Sequence, residues 1–167
     1  MSEDYVKMSI KTLLIDPITK MPIVVLHQEN QEEKVLPIWV GIFEANAIAI
    51  KMENVESPRP MTHDLLRNIF QTLRCSVKRI EINNLKNNTY YANIIIDKSG
   101  EELAIDSRPS DAIALALRTE SPIFVAESVL QKAYEQNSNE DGEKIREKEL
   151  KKWFESLNPE NLHKYKM

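Results

Sequence analysis

The sequence predicts an α+β fold in which duplicated β-β-β-α halves form a mixed, largely antiparallel sheet packed with helices. The first observation is a near repeat, since residues 46–58 read NAIAIKMENVESP and residues 111–122 read DAIALALRTESP. The second is that three strand-like segments precede each copy. Because short turn-like segments join most of these strands, neighbouring strands are expected to pair antiparallel. We interpret the repeat as an internal duplication.

The first half begins with three strands and continues with two helices. The strands are predicted in VKMSIKTLLI, PIVVLHQ and KVLPIWVG, separated by Asp16-Pro17 and by the polar run QENQEE. A helix over Phe43–Met52 is rich in Ala and Ile on all sides, which predicts burial, and ends at ESPRP because proline cannot continue a helix. Thr62 predicts the N-cap of a second helix. Its apolar stripe consists of Leu65, Leu66, Ile69, Phe70 and Leu73.

The second half repeats this order. Its strands are predicted in SVKRIEINN, YYANIIID and EELAIDS, and the first two are joined by the turn-like LKNNT. A helix follows over Pro109–Arg118, and SPIFVAESVLQKAY supplies a short strand and the start of another helix. Residues 1–134 are therefore expected to form one domain. A polar linker is expected over residues 135–142, and an amphipathic helical tail over residues 143–167.

The composition predicts a globular protein and argues against several other classes. Hydrophobic residues make up 42% and charged residues 29%, an ordinary globular balance. No apolar run approaches the roughly 20 residues that cross a bilayer, and the N-terminus lacks a signal-peptide pattern. The single cysteine, Cys75, excludes an internal disulfide and fits a reducing compartment, so a cytoplasmic location is expected. The net charge of −4 does not itself predict a nucleic-acid binder, although Arg59–Arg79 is locally positive.

Polar residues gather at two junctions, one in each half, next to helix N-termini. The second half has IDSRPSD where the first has VGIFEAN, and the first has SPRPMTHD where the second has SPIFVAES. Helix N-termini favour anions because their backbone N–H groups are unpaired and the helix dipole is positive there. The residues at the two junctions are Arg59, Thr62, His63 and Asp64, and Asp106, Arg108 and Asp111.

The residues of the first junction also have structural explanations. Thr62 can be a helix cap, and Asp64 in a first helical turn is stabilising by a few tenths of a kcal/mol through the helix dipole. His63 can simply be exposed. However, a helix N-terminus would keep its imidazole neutral, as a general base or a metal ligand requires.

The second junction leaves similar alternatives open. Asp111 can cap or open the buried helix. Arg108 can be an intramolecular partner of Asp106 or Glu44. The combination of two arginines, one histidine and up to four carboxylates beside helix N-termini favours a functional role over these separate explanations.

The residue inventory excludes several chemistries and leaves one. One Cys and three His show no zinc-site spacing, and the sequence contains no Walker, dinucleotide-binding or nucleophile-elbow motif. Carboxylate-bound Mg²⁺ or Mn²⁺ with arginines for phosphate remains, which is the chemistry of phosphodiester cleavage. On this hypothesis Asp106 and Asp111 hold an ion that activates a water. Arg59 and Arg108 hold the phosphate, and His63 takes or delivers a proton.

These segments resemble the bifunctional nuclease (DNase–RNase) domain family of bacteria and plants. The motifs LPIWVGIFEANAIAI, SPRPMTHDLL, INNLKNNTYYANI, IDSRPSDAIALALR and PIFVAESVL carry the resemblance from about Lys7 to Leu130. It implies an α+β domain that forms homo-oligomers and acts on both DNA and RNA. The glycine usual after the amphipathic helix is replaced by Arg74, which affects the expected helix C-cap. The family's motif positions present here are Glu44, Arg59, Pro60, Thr62, His63, Asp64, Asp106, Arg108, Pro109, Ser110 and Asp111.

We therefore expect a metal-assisted nuclease that cleaves nucleic acid with little sequence specificity. The expected catalytic residues are Glu44, His63, Asp64, Asp106 and Asp111, and the expected phosphate-binding residues are Arg59, Thr62 and Arg108. The alternative is a non-catalytic oligomeric module that binds an anion or a protein, which net acidity and the absence of an aromatic stacking motif favour. A third possibility is that the motif residues only join the subunits of an oligomer.

Overall fold

The computed structural model describes residues 4–29 and 31–139. Residues 4–29 and 31–130 belong to one compact unit, and residues 131–139 belong to a second. The elements, in chain order, are β1 (Tyr5–Ile15), β2 (Pro22–Gln28), β3 (Gln31–Trp39), α1 (Ile42–Met52), α2 (Thr62–Thr72), β4 (Cys75–Lys86), β5 (Thr89–Lys98), β6 (Glu101–Ser107), α3 (Pro109–Thr119), β7 (Ile123–Ala126) and α4 (Glu127–Asn139).

Within the described residues, seven strands form a single sheet in the order β3-β2-β1-β7-β4-β5-β6. Every neighbouring pair is antiparallel except β4 and β7, which run parallel. The predicted α+β class with a mixed, largely antiparallel sheet is therefore confirmed. Each half contributes a three-stranded meander followed by a helix, as the sequence predicts. The common origin of the two halves stays a prediction.

Local turn chemistry explains why the second meander forms where it does. Asn87 and Asn88, in the predicted turn LKNNT, have φ of 51° and 58°. Two consecutive left-handed residues make a tight hairpin whose twist matches that of the strands, and asparagine tolerates this conformation better than most residues. The turn therefore joins β4 directly to β5.

Helices α1 and α2 each pack against α3, and α3 also contacts β4 and β5. The residues Ala112–Ala116 in the middle of α3 are all buried, as the sequence predicts. The prediction that α1 is buried on all sides holds for only one face. That face contains Ala45, Ala47 and Ile48, whereas Ile42 and Phe43 in the first turn are exposed.

The start of α2 differs from the sequence prediction. The N-cap position belongs to Met61, so the prediction that Thr62 is the N-cap is wrong. The reason is that Asp64 Oδ2 accepts the backbone N–H of Met61 at 3.0 Å, which fixes the helix start one residue earlier. At the other end, Arg74 has a φ of 56°, so arginine takes the left-handed conformation that glycine usually provides.

The C-terminal predictions are tested only in part. Helix α4 continues through residues 135–139, into the segment that the sequence assigns to a polar linker. The predicted amphipathic tail over residues 143–167 lies outside the described residues. None of the described helices has the length and apolar character needed to span a membrane.

Candidate functional site

Three helices of the domain begin with the same arrangement, an acidic residue at the third helical position. These residues are Glu44 in α1, Asp64 in α2 and Asp111 in α3. A carboxylate in the first turn is stabilised by the positive end of the helix dipole and by unpaired backbone N–H groups. Side-chain contacts connect the three first turns to one another, so the positive ends of three helix dipoles meet in one region.

A continuous chain of hydrogen bonds joins these first turns. Glu44 Oε1 accepts from Arg108 Nη2 at 2.8 Å, and Asp111 Oδ2 accepts from Arg108 Nε at 2.8 Å. The other carboxylate oxygen, Asp111 Oδ1, lies 2.9 Å from His63 Nε2. The order Glu44–Arg108–Asp111–His63 therefore passes from α1 through the start of α3 to α2.

Arg108 is the part of this chain that solvent reaches. It is the N-cap residue of α3, and its side chain is 66% exposed. Hydrogen bonds to Asp111 and then Glu44 raise the pKa of its guanidinium above the ordinary value, so it stays charged. Its Nη1 donates no hydrogen bond to any described residue. This nitrogen is therefore available to an anion in solution.

His63 is held in the interior of the site. It is the buried residue of α2, and its side chain is 9% exposed, so the alternative that it is simply an exposed histidine is wrong. The ring packs where the first turn of α2 meets the first turn of α3. Since Nε2 faces Asp111, Nδ1 is the nitrogen left to exchange a proton with another group.

A second ion pair ties α2 to α3 beside this chain. Arg118 Nε donates to Asp64 Oδ1 at 2.7 Å, and its other nitrogens donate to the carbonyl oxygens of Ala114 at 2.8 Å and Ala47 at 3.0 Å. Burial alone would raise the pKa of Asp64. The hydrogen bond from the Met61 N–H and the contact with Arg118 outweigh burial, so this pKa is lowered.

Sequence reasoning missed Arg118, although a signal was present. Arg118 follows Asp111 by seven residues, so both lie on one face of α3 two turns apart. On α2, His63 and Asp64 are adjacent, and each contacts one of this pair. An arginine on the buried face of an apolar helix requires a partner, and that requirement could have predicted the ion pair. We call the connected residues the polar cluster; its members are Glu44, His63, Asp64, Arg108, Asp111 and Arg118.

Three of the expected site residues lie outside the polar cluster. Arg59, Thr62 and Asp106 are exposed, and their side chains make no hydrogen bond or ion pair with the residues that the structure describes. Asp106 lies on the edge strand β6, paired in register with Asn93. The alternative in which Arg108 pairs with Asp106 is therefore wrong, and the alternative in which it pairs with Glu44 is confirmed.

The described residues do not fit a preformed metal site. Nowhere in residues 4–29 and 31–139 do three or more His, Cys, Asp or Glu side chains converge as ligands would. Both carboxylate oxygens of Asp111, an expected ligand, already receive hydrogen bonds from His63 and Arg108. An ion at Asp111 would have to share these oxygens with a histidine and an arginine.

Two surface grooves formed by the described residues lie away from the polar cluster. A groove of about 580 Å³ lies elsewhere, bounded by β1, the end of α1 and the C-terminal end of α3. A second groove of about 320 Å³ follows the outer side of α2, along Leu65, Ile69 and Leu73. Neither groove includes a member of the polar cluster.

Comparison with known proteins gives a consistent assignment. Residues 24–138 match the family model described as the bifunctional nuclease domain. An uncharacterized protein of Mycobacterium tuberculosis is 39% identical over 140 residues, which cover 81% of this chain and 83% of that protein. Bifunctional nuclease 2 of Oryza sativa subsp. japonica is 32% identical over 111 residues, which cover 65% of this chain and 34% of the rice protein. Bifunctional nuclease 1 of Arabidopsis thaliana is 29% identical over 107 residues, 62% of this chain and 33% of that protein.

The matched share of each relative differs between the plant proteins and the mycobacterial protein. The chain spans about a third of the length of the plant proteins. It spans most of the mycobacterial protein, which is uncharacterized. The family match covers more than half of the chain and includes every member of the polar cluster. This chain belongs to the bifunctional nuclease domain family.

Proposed function

We propose that this protein is a nuclease that hydrolyses phosphodiester bonds in DNA and RNA with little sequence specificity. The observation that carries the proposal is the chain Glu44–Arg108–Asp111–His63, which joins three helix N-termini and includes the exposed guanidinium of Arg108. The plant relatives are named bifunctional nucleases, which supports this class of reaction.

Arg108 is the group proposed to bind the substrate phosphate. Its Nη1 can donate to a phosphate oxygen while Nε and Nη2 remain bonded to Asp111 and Glu44. Those two carboxylates fix the plane of the guanidinium, so little side-chain entropy is lost when the phosphate binds. The three helix dipoles add a positive field, because each N-terminus favours an anion.

His63 is the group proposed to transfer protons. In the hydrolysis, a water attacks phosphorus, loses a proton, and the sugar oxygen that leaves gains one. Asp111 orients the imidazole through Nε2, while Nδ1 exchanges the proton. Asp64 is proposed to position His63, because its hydrogen bond from Arg118 holds the first turn of α2 against α3.

Metal assistance stays a prediction, and no step above depends on an ion. Of the two expected metal ligands, Asp106 makes no contact with the polar cluster. An ion at Asp111 would have to share its carboxylate with His63 and Arg108. If Mg²⁺ or Mn²⁺ does bind, it would polarise the phosphate or the attacking water. Arg59 and Thr62 stay predictions as further phosphate contacts. Homo-oligomer formation and a cytoplasmic location also stay predictions.

The test is cleavage by purified protein, with a matched pair of histidine variants. Labelled RNA and DNA strands are incubated with the wild type, His63→Gln and His27→Gln, each with Mg²⁺, with Mn²⁺ and with chelator. His63→Gln can still bond Asp111 but cannot transfer a proton, so we expect its rate to fall by about 10²- to 10⁴-fold. His27 lies in β2 outside the polar cluster, and its variant should cleave normally. Equal cleavage by all three proteins would contradict the role proposed for His63.

One observation favours the alternative, a non-catalytic module that binds an anion or a partner protein. The carboxylate groups of the polar cluster are already bonded within the chain, as they would be in a purely structural network. This alternative expects binding of nucleic acid or phosphate with no turnover at any metal concentration. If the cluster only joins subunits, Arg108→Ala should change the sedimentation of the protein before it changes anything else.

A further inference from the structure

The most exposed apolar side chain of the described residues lies next to the polar cluster. Phe43 is 87% exposed at the second position of α1, directly before Glu44. Leaving a phenyl ring in water gives up roughly 1.5–3 kcal/mol of burial free energy. An aromatic ring with this exposure leaves its face open to a ligand in solution.

The backbone places Phe43 at the same end of α1 as the residue that contacts Arg108. Consecutive Cα atoms are about 3.8 Å apart, and Glu44 Oε1 accepts from Arg108 Nη2 at 2.8 Å. Ala47, one turn further along the same face of α1, is buried, and its carbonyl oxygen accepts from Arg118 of α3. Phe43 thus extends the α3-facing side of α1 beyond its packed part, at the end where Arg108 begins α3.

An exposed aromatic ring beside an exposed guanidinium matches one ligand chemistry especially well. Single-stranded nucleic acid offers unstacked bases with free faces and a phosphate at every step, whereas the bases of a duplex are stacked on one another. Building on the proposed function, we propose that Phe43 stacks on a nucleobase of a single strand whose neighbouring phosphate contacts Arg108. Phe43 therefore selects single-stranded DNA or RNA over duplex.

The test measures binding separately from cleavage. The probe is a short, fluorescein-labelled phosphorothioate single strand, which resists cleavage, and binding to the full chain is followed by anisotropy. Phe43→Ala should weaken binding by about 5- to 150-fold, the range for loss of one stacked base, and Phe43→Trp should restore it. Ile42→Ala is the matched control, because Ile42 is 59% exposed at the preceding position but has no ring. It should bind as the wild type does.

Two further nucleic acids test whether Phe43 contacts a base. On a duplex of the same sequence and on an abasic single strand, Phe43→Ala and the wild type should bind equally, because neither ligand offers a free base. Equal binding of Phe43→Ala and the wild type on the normal single strand would overturn the proposal. A changed sedimentation coefficient of Phe43→Ala without nucleic acid would also overturn it, since the ring would then belong to a contact between subunits.

The two proposals fail in different ways. If binding depends on Phe43 but the wild type cleaves no strand under any condition, the stacking contact stands and the nuclease proposal is wrong. If the wild type cleaves and Phe43→Ala binds and cleaves with unchanged KM and kcat, the nuclease proposal stands and the stacking contact is wrong.

Discussion

Replacing Arg118 with methionine should destabilise the domain more than any other single change of an arginine among the described residues. The Arg118 side chain is 1% exposed and donates hydrogen bonds to Asp64 and to the carbonyl oxygens of Ala47 and Ala114. Methionine fills a similar volume but donates no hydrogen bond. Arg118→Met therefore leaves one partly buried carboxylate and two buried carbonyl oxygens without this donor.

The loss in free energy of unfolding depends on how well these three acceptors are satisfied without Arg118. Removing one partner of a buried ion pair costs about 3–5 kcal/mol, because the other charge stays buried. The Asp64 side chain is 24% exposed and keeps its hydrogen bond from the Met61 N–H, so water and the backbone offset part of that cost. We therefore expect a loss of about 3 kcal/mol, a large part of the roughly 5–15 kcal/mol by which domains are stable.

The assay is urea unfolding of the full chain at neutral pH, followed by far-UV circular dichroism. Arg67→Met is the control, since Arg67 lies on α2 and donates to the adjacent Asn68 side chain. Its free energy of unfolding should change by less than about 0.5 kcal/mol. In the double variant Arg118→Met/Asp64→Asn, the loss should be smaller than the sum of the two single losses, because the unpaired charge is gone. A loss below about 1 kcal/mol for Arg118→Met would contradict this reasoning.

Three further outcomes are expected. Arg74→Gly should raise the free energy of unfolding by about 1 kcal/mol in urea, because Arg74 occupies the left-handed region. Burial alone would raise the pKa of Asp16, but four hydrogen bonds lower it from 3.8 to about 2, so its stabilisation is complete above pH 3.8 and is lost as the pH falls towards 2. Between pH 5 and 2, the free energy of unfolding measured in urea should therefore fall about 2 kcal/mol less for Asp16→Asn than for the wild type. Gly41→Ala should retain the fold but reduce the affinity for an oligonucleotide. The added Cβ would collide with the flexible Glu44 carboxylate and displace that carboxylate from Arg108. An oligonucleotide affinity equal to that of the wild type, measured by anisotropy, would contradict this reasoning.

The order of strands and helices could be predicted from the sequence because its signals are local. Alternating apolar residues, the Asn87-Asn88 turn and the proline-rich ESPRP act within a few residues of where they stand. The sequence also offered Glu44 as one of two candidate partners of Arg108, and the structure selects it over Asp106.

The remaining features depend on how the helices pack, which a linear pattern does not contain. Arg118 becomes a site residue only because α2 lies against the face of α3 that it shares with Asp111. Asp106 precedes Arg108 by two residues, yet it stays on the exposed edge strand while the chain turns into α3. Phe43 reads as a core residue in an apolar helix, but the first turn of α1 extends beyond its packing partners.

The central claim, that the polar cluster is where the phosphodiester is cleaved, is tested most directly by comparing two arginine variants. Arg108 and Arg79 each lie between two acidic partners, Glu44 and Asp111 for the first, Glu81 and Glu102 for the second. The measurement is kcat/KM for a single-stranded oligonucleotide with wild type, Arg108→Ala and Arg79→Ala, each purified identically. We predict a loss of about 10²- to 10³-fold for Arg108→Ala and the wild-type value for Arg79→Ala. Equal values for the two variants would place the chemistry elsewhere.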